Sequence, residues 1–343
     1  MQIYYPEYYE RFRCVAGACP DSCCKEWAVD VDAKSAAYYR SLPGALGDRL
    51  REVLADTEDG TVMQIENGRC PMWRQDGLCR IHAELGHEAL CKTCREFPRL
   101  RHDYGDFVEL GLELSCPEAA RLILTSCDHE MKCVQTDGGE VPEYDREVMG
   151  ILQSSRGEVL EFLTNTQRPV SESLAVILLH SHSVQAWMDG GEEVRLEPES
   201  CLADARRYAA AGDIGAVFGF FRELEILTPR WRERLAQPQQ PAVWTAQLQA
   251  LARYMIERYW LQAVSDYDLV CRVKLCVVSC LLVGAMGGDV IQTAQLFSKE
   301  IENDPDNLES VLDGAYTATA LTDANLLGLL LNKKLWREND KNN

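Results

Sequence analysis

The sequence predicts a mainly α-helical protein in two parts, a cysteine-rich N-terminal domain with short strands followed by a helical-bundle domain. Three observations lead to this prediction. Residues 1–133 contain 11 of the 15 cysteines. A connector with glycine and proline, residues 136–144, follows them. Almost every segment after the connector has apolar residues at helical spacing. We therefore expect one domain over residues 1–140 and another over residues 141–343.

In the N-terminal domain, short segments are separated by turns. Residues 25–32 alternate between apolar and polar side chains as a strand does, and Asp32 is placed to cap a helix over residues 33–42. The other elements predicted here are a helix over 45–55, a strand over 61–66, one continuous helix over 81–97 that Pro98 ends, and an extended segment over 107–115.

In the C-terminal domain, the first predicted helix covers residues 146–163, with Val148, Ile151 and Leu152 near one face. Pro305 follows Asp304 in a helix-start pattern. Further helices are predicted over 172–188, 199–211, 213–227, 243–263, 266–286, 289–302 and 306–336. Three cysteines fit the apolar face of one of these helices, and we expect them in the core: Cys271, Cys276 and Cys280.

The composition excludes some classes of protein. With 46% hydrophobic and 26% charged residues, the chain is expected to fold rather than to be disordered. Its 35 basic and 54 acidic residues give a formal net charge of −19, which disfavours a nucleic-acid partner and favours a basic one, such as an exposed lysine. The N-terminus has no secretory pattern, and the longest apolar run, 275–288, is too short to span a bilayer.

We therefore expect a cytoplasmic protein without a membrane segment, whose cysteines stay reduced. Nine cysteines lie at short spacings, and Gly17, Pro20, Pro71 and Gly77 supply turns between them, which indicates metal ligands. They are Cys14, Cys19, Cys23, Cys24, Cys70, Cys79, Cys91, Cys94 and Cys116. Cys91 and Cys94, three residues apart on the predicted helix over 81–97, would direct both thiols to one side. Cys127 and Cys133 are isolated and remain unassigned.

The ligand types favour a soft metal. Thiolates select zinc, copper(I) or iron–sulfur clusters. Only one C-x2-C pair is present, and Cys23 and Cys24 are adjacent, so the spacing favours an iron–sulfur cluster and leaves zinc as the alternative. Five basic residues crowd this region and either offset the negative charge of a cluster or cover a solvent-exposed face: Arg80, Lys92, Arg95, Arg99 and Arg101. His82 and His87 are alternative ligands or surface residues.

Five sequence blocks carry a family resemblance. They are FRCVAGACPDSCCKEWAVDVD (12–32), RCP (69–71), GLCRIH (77–82), LCKTCREFPR (90–99) and LELSCPEAAR (112–121). In this order they resemble the flagellin lysine N-methylase family, which is related to a wider group of bacterial proteins with a zinc- or iron-chelating cysteine cluster. The resemblance covers roughly residues 10–125. Beyond residue 140 only the general helical character is similar.

The resemblance implies a cytoplasmic methyltransferase that contains an iron–sulfur cluster, of the 4Fe-4S type, and transfers methyl groups from S-adenosylmethionine to lysines of flagellin. The cluster ligands would come from the nine cysteines. The C-x3-C-x2-C motif of radical enzymes and the glycine-rich cofactor loop of the common methyltransferase fold are both missing from the sequence. The catalytic and S-adenosylmethionine-binding residues are therefore not assigned.

Two sets of alternatives remain open from the sequence. The tyrosines near the N-terminus either cage and deprotonate a lysine ammonium or pack against the cysteine-rich domain. They are Tyr4, Tyr5, Tyr8 and Tyr9. The chain as a whole is either the methyltransferase or a non-catalytic protein that binds metal, senses redox state, or uses zinc to staple an interaction domain.

Overall fold

The computed structural model describes residues 1–25, 28–58, 60–126, 130–139, 141–237 and 242–337, and most of them are helical. The α-helices are α1 (Tyr8–Arg11), α2 (Ala33–Ser41), α3 (Gly44–Val53), α4 (Arg80–Leu85), α5 (Lys92–Glu96), α6 (Pro117–Thr125), α7 (Arg146–Asn165), α8 (Val170–Met188), α9 (Pro198–Tyr208), α10 (Ile214–Glu223), α11 (Pro229–Ala236), α12 (Ala246–Tyr259), α13 (Val270–Met286), α14 (Val290–Phe297), α15 (Pro305–Thr317) and α16 (Asp323–Leu331). A π-helical turn, Ser298–Glu302, directly follows α14.

Short strands form three small sheets. The strands are β1 (Gln2–Pro6), β2 (Val29–Val31), β3 (Leu54–Thr57), β4 (Gly60–Met63), β5 (Arg99–Asp103), β6 (Phe107–Leu112), β7 (Met131–Gln135), β8 (Ala242–Val243) and β9 (Trp336–Arg337). The largest sheet has the order β5-β6-β1-β7, in which β1 pairs parallel to β6 and antiparallel to β7. The second has the order β2-β4-β3, and β8 pairs with β9. The first strand of the chain thus lies beside β6, so α1, which follows it, contacts β6.

Buried apolar side chains form two cores. The smaller core lies within residues 29–91 and joins α2 and α3 to the second sheet, with Cys70 and Cys91 among its members. The larger core joins the helices from α6 onward and also includes Tyr8 and Phe12 near the N-terminus, and Phe107 in β6. Residues at both ends of the first 140 therefore pack with the helical part. The boundary at residue 140 stays a prediction.

Several predictions from the sequence are confirmed. The protein is mainly helical with small sheets, and Asp32 caps α2 by accepting a hydrogen bond from the Ser35 N–H at 3.0 Å. Cys271, Cys276 and Cys280 are all buried in α13. No helix among the described ranges is long and apolar enough to cross a membrane.

Two long helical predictions are wrong. The segment 81–97 is not one helix, because Gly86 adopts φ +87° after α4 and the chain then makes a 3-10 turn before Cys91 starts α5. The segment 306–336 is also divided. Helix α15 ends at Thr317. Thr322 then caps a new helix, α16, because its side chain accepts a hydrogen bond from the Asn325 N–H. Both segments keep helical spacing of apolar residues across the break, so periodicity alone does not reveal it.

Glycine allows two cysteine-bearing loops to approach each other. Gly77 has φ +79°, and a Cβ there would lie 3.3 Å from the Gly17 Cα. A Cβ on Gly17 would lie 3.0 Å from the backbone oxygen of Asp76. The loop that follows Cys14 therefore packs backbone against backbone on the loop that precedes Cys79.

We predict that Gly77→Ala destabilises the protein more than Gly68→Ala. Gly68 has a similar φ of +73°, but a Cβ there would meet nothing within 4 Å. Both substitutions carry the cost of a left-handed residue, about 1 kcal/mol, and only Gly77→Ala adds a clash between loops. Urea unfolding of both variants measures the difference. Equal loss of stability would contradict the close packing of the two loops.

Candidate functional site

The nine predicted ligands lie in loops and at the starts of short helices. Cys79, Cys91 and Cys116 occupy the N-cap positions of α4, α5 and α6, and none of their side chains caps the helix. The partial positive charge of a helix N-terminus favours thiolate over thiol, but burial outweighs it at Cys79 and Cys116, whose pKa values are raised. Only the pKa of Cys91 is lowered.

Backbone hydrogen bonds and ring contacts hold the cysteine-bearing loops together. The Cys70 N–H donates to the Cys24 carbonyl at 2.7 Å. The Arg69 guanidinium lies 4.3 Å from the centre of the Trp73 ring, and the Lys25 ammonium lies 5.3 Å from it. These contacts fix the loop around Cys24 against the loop around Cys70.

One group of thiols surrounds Cys24. Burial raises the pKa of Cys70 to about 12, and the neighbouring thiols of Cys24, Cys79 and Cys91 add to the increase. A hydrogen bond with Cys94 lowers the pKa of Cys91 to about 7, and the same hydrogen bond raises the pKa of Cys94. Five of the nine thiols therefore interact with one another: Cys24, Cys70, Cys79, Cys91 and Cys94.

A second group surrounds Cys23. Burial raises the pKa of Cys116 to about 11, and the thiols of Cys19 and Cys14 contribute. A hydrogen bond with Cys24 raises the pKa of Cys23, and burial, Cys14 and Cys116 add to the effect. Because Cys23 and Cys24 are adjacent and hydrogen-bonded, they join this group to the first. The structure thus brings all nine predicted cysteines into one region.

The donor chemistry of this region fits a soft metal or an iron–sulfur cluster, because nine interacting thiols, two of them buried, lie there. Across the described residues, no group of three or more His, Cys, Asp or Glu side chains is arranged to hold a single metal ion. The choice of ligands therefore stays a prediction.

The other cysteines and histidines of the N-terminal part are exposed where the structure describes them. Cys133 is exposed on β7, and Cys127 lies outside the described residues. His82 and His87 are exposed and stack edge to face with ring centres 5.8 Å apart. His82 and His87 are therefore surface residues, one of the two alternatives that the sequence left open for them.

The basic residues of this region are partly engaged elsewhere. Arg80 donates to Glu84 at 2.7 Å and Arg101 to Asp103 at 2.6 Å. The Arg99 guanidinium lies 5.2 Å from the centre of the Phe12 ring. Arg80 and Arg101 thus behave as members of a solvent-exposed surface, one of the two alternatives for them.

Buried polar side chains attach the cysteine loop to the helical core. Asp21, between Cys19 and Cys23, lies 3.3 Å from the Lys299 Nζ and accepts a hydrogen bond from the Gln295 Nε2 at 3.1 Å. Lys299 is only 2% exposed. Gln295 also donates to the backbone oxygen of Ser115, next to Cys116, at 2.8 Å. One face of α14 and its π-helical extension therefore holds two cysteine-bearing segments.

A cavity that the sequence did not predict lies between the largest sheet and helices α7 and α12. Its volume is about 70 Å³. Arg156 donates to both oxygens of Glu109 at 2.5 and 2.9 Å across its wall. Glu257 accepts from Arg253 at 2.7 Å. The cavity therefore contains ion pairs in a largely apolar setting.

Arg258 joins this cavity to a second set of buried groups. It lines the cavity, donates to the Tyr254 hydroxyl at 2.5 Å and lies 3.1 Å from Glu302. Tyr259 donates to the same Glu302 oxygen at 2.9 Å. Glu113, three residues before Cys116, lies 4.0 Å from Arg258, and burial raises its pKa to about 7. The cavity is thus connected to the start of α6, where Cys116 lies.

Of the four N-terminal tyrosines, only Tyr8 lines this cavity, and it also packs in the larger core. Tyr4 packs edge-on against Phe107 with ring centres 6.1 Å apart. Tyr5 donates to Glu10. Tyr4 therefore packs within the N-terminal part, as one alternative predicted, whereas Tyr8 packs in the larger core instead.

A sequence signal for the cavity existed in α12. Arg253, Glu257 and Arg258 interrupt a run in which Tyr254, Met255, Ile256, Tyr259 and Trp260 are all buried. Charged residues at a spacing of four on such a helix indicate paired charges in the interior.

These features define a class of protein, in which a dense set of reduced cysteines is attached to a helical domain with a charged cavity beside it. Comparison with known proteins gives the family. Over 136 residues, the chain is 32% identical to the "Lysine-N-methylase" of Salmonella typhimurium. This match covers 36% of this chain and 32% of the Salmonella protein. The chain is 31% identical to the "Flagellar biosynthetic protein FliU" of Salmonella muenchen, over 36% of this chain and 77% of FliU.

The chain belongs to the flagellin lysine N-methylase family, as the five sequence blocks predicted. A "Lysine-N-methylase" of Salmonella choleraesuis is also 31% identical, over 36% of this chain and 32% of that protein. The chain spans about a third of the length of the two lysine-N-methylases. No family model matches the chain, and no solved structure matches it.

We predict that Glu113→Gln makes the protein more stable than wild type at high pH. Burial raises the pKa of Glu113 from its ordinary value of 4.5 to about 7 in the folded protein. A carboxyl with a raised pKa contributes its full stability below the unfolded pKa and loses it as pH rises through the folded value. The stability advantage of Glu113→Gln should therefore grow between about pH 4 and pH 8, by up to about 3 kcal/mol.

Urea unfolding at several pH values measures this difference. Glu118→Gln is the control with the opposite sign, because a hydrogen bond from Arg121 lowers the pKa of Glu118. Glu118→Gln should gain no stability at high pH. A constant difference between Glu113→Gln and wild type across the pH range would contradict the raised pKa.

Proposed function

We propose that this protein is a protein-lysine N-methyltransferase that acts on flagellin, uses S-adenosylmethionine as methyl donor and contains an iron–sulfur cluster of the 4Fe-4S type. The observation that carries the proposal is the similarity to two proteins named lysine-N-methylase and to FliU, whose name refers to flagellar biosynthesis. The acidic charge of −19 supports a basic target, such as an exposed lysine side chain.

The reaction is a displacement at a methyl carbon. A bond forms between the lysine Nζ and the methyl carbon while the bond from that carbon to the sulfonium sulfur breaks, and its electron pair stays on sulfur. The lysine must be neutral to attack, so the protein has to accept a proton from the nitrogen and align the reactants. Carboxylates whose pKa is raised by burial suit the acceptance of a proton, and Glu113 beside Arg258 is one of them.

The cluster would be held by thiolates drawn from the nine cysteines. The group around Cys24 contains five thiols and the group around Cys23 contains four, including Cys116. An iron–sulfur cluster needs four thiolates and tolerates irregular spacing. Such a group would bind the segments before α4, α5 and α6 to one another, which gives it a role in the fold.

We expect anaerobically purified protein to methylate flagellin. Incubation with S-adenosylmethionine and monomeric flagellin should add mass in steps of one methyl group on lysines, measured by mass spectrometry of peptides. Flagellin whose surface lysines have been acetylated beforehand is the matched control, because an acetylated amine is no longer nucleophilic. Unmodified flagellin after incubation with protein whose metal content is intact would contradict the proposed activity.

We also expect Cys94→Ser to lose metal, whereas Cys276→Ser retains it. Cys94 hydrogen-bonds with Cys91 among the interacting thiols, whereas Cys276 is buried in α13 near the Ala252 carbonyl at 3.5 Å. A serine preserves that hydrogen bond in the core but is a poor ligand for soft metals. Iron, zinc and acid-labile sulfide measured in both variants give the result. Equal metal content would refute the assignment of Cys94, and zinc without sulfide would favour a structural zinc site over the cluster.

A further inference from the structure

The cavity beside α12 combines apolar walls with buried charge. Leu100 and Leu110 come from the sheet and Leu160 from α7, and they form part of its lining. The cavity volume of about 70 Å³ is several times the space that one water molecule needs. The cavity therefore has room for a small charged end of a ligand, and its walls are apolar enough to hold methylene groups.

The charges of the lining are balanced. Two arginines, Arg156 and Arg258, and two glutamates, Glu109 and Glu257, line the cavity, and their side chains are at most 16% exposed. Burying a net charge is costly, so a cavity with equal numbers of both signs suits a ligand that itself carries both. A zwitterion has this property, whereas a lone ammonium or a lone phosphate does not.

The donors without partners indicate which groups the ligand presents. Among the described residues, the buried Arg258 Nε and His102 Nε2 have no hydrogen-bond partner. Both side chains line the cavity. The Arg258 Nε–H can only donate, so it requires an acceptor, and a carboxylate is the strongest acceptor for it. Since a buried donor left unpaired is unfavourable, this atom favours a ligand that carries a carboxylate.

The same cavity offers acceptors for a cation. Glu257 is ion-paired with Arg253, and the Tyr8 and Tyr254 side chains lie in the lining with it. Carboxylates and tyrosine rings both stabilise ammonium and sulfonium groups. A lysine side chain would satisfy these acceptors, but it brings three donors and no acceptor for Arg258.

We infer that this cavity binds the α-amino-acid end of the methyl donor, with Arg258 at its carboxylate and Glu257 at its ammonium group. The choice of the methyl donor as the ligand rests on the proposed function. That the ligand carries a carboxylate and a cation follows from the side chains that line the cavity. Arg258 is 4.0 Å from Glu113, three residues before Cys116, so the bound amino acid lies beside the cysteine region.

Isothermal titration of the full protein tests this inference with two probes. S-adenosylhomocysteine carries the amino-acid end, and 5′-methylthioadenosine lacks it. Wild type should bind S-adenosylhomocysteine more tightly. Glu257→Gln should weaken its binding roughly tenfold, by loss of one charged contact, and leave 5′-methylthioadenosine unchanged.

Arg258 requires a double variant, because removing it alone would leave Glu302 as an unpaired buried charge. Arg258→Met combined with Glu302→Gln removes both charges, and a glutamine oxygen can still accept from Tyr259. This variant should weaken S-adenosylhomocysteine binding roughly ten- to a hundredfold. Glu172→Gln, a partly buried glutamate paired with Arg206 outside the cavity, is the matched control and should bind as wild type does.

The outcomes separate this inference from the proposed function. Failure of wild type to bind S-adenosylhomocysteine contradicts the methyl donor of the proposed function. Binding by wild type with unchanged affinity in Glu257→Gln and the double variant overturns the inference alone. Equal weakening of both probes also overturns it, because the amino-acid end would then not be what the cavity recognises. Weaker binding of flagellin with unchanged S-adenosylhomocysteine binding would assign the cavity to the target lysine instead.

Discussion

The π-helical turn after α14 carries two buried charges that must be paired. This requirement determines where the cysteine loop and α12 lie in the protein. Lys299 and Glu302 lie three residues apart on this turn, and both are almost inaccessible to solvent. A buried charge is tolerated only beside an opposite charge or strong hydrogen-bonding groups. Lys299 meets Asp21 of the cysteine loop, and Glu302 meets Arg258 of α12. One turn of helix therefore positions both the thiol region and the cavity.

The change from α to π geometry at Ser298 is supported by specific side chains. Asn307, at the start of α15, donates to the backbone oxygens of Glu300 and Glu225 at 2.8 and 2.9 Å. The Leu227 N–H donates to the Glu300 carboxylate at 2.9 Å. Short π-helical turns occur frequently at functional sites. Here α15 and the loop before α11 both hydrogen-bond to the turn. These buried contacts fix the directions in which the Lys299 and Glu302 side chains point.

The sequence predicted the elements whose signal is local. Asp32 as a cap, the helical C-terminal part and the burial of Cys276 follow from spacing and residue type, and the nine cysteines were selected because they cluster along the chain. The breaks at Gly86 and Thr322 were missed, since apolar periodicity continues across both. The cavity was missed for a different reason. Arg253, Glu257 and Arg258 in α12 signal buried ion pairs. Glu109 in β6 and Arg156 in α7, however, are 47 residues apart and meet only in the folded protein, so no local pattern encodes the pair that lies across the cavity wall.

The connection between the cysteines and the cavity bears on what a bound metal can contribute. Methyl transfer from a sulfonium to an amine changes no oxidation state, so the reaction itself requires position and proton acceptance rather than electrons. Cys116 occupies the N-cap position of α6, and its backbone N–H donates to the Glu113 carbonyl at 3.4 Å. Glu113 in turn faces Arg258. In the proposed function, ligation that fixes Cys116 would also fix the carboxylate beside the arginine that lines the cavity, so the thiol region would act on the chemistry through geometry.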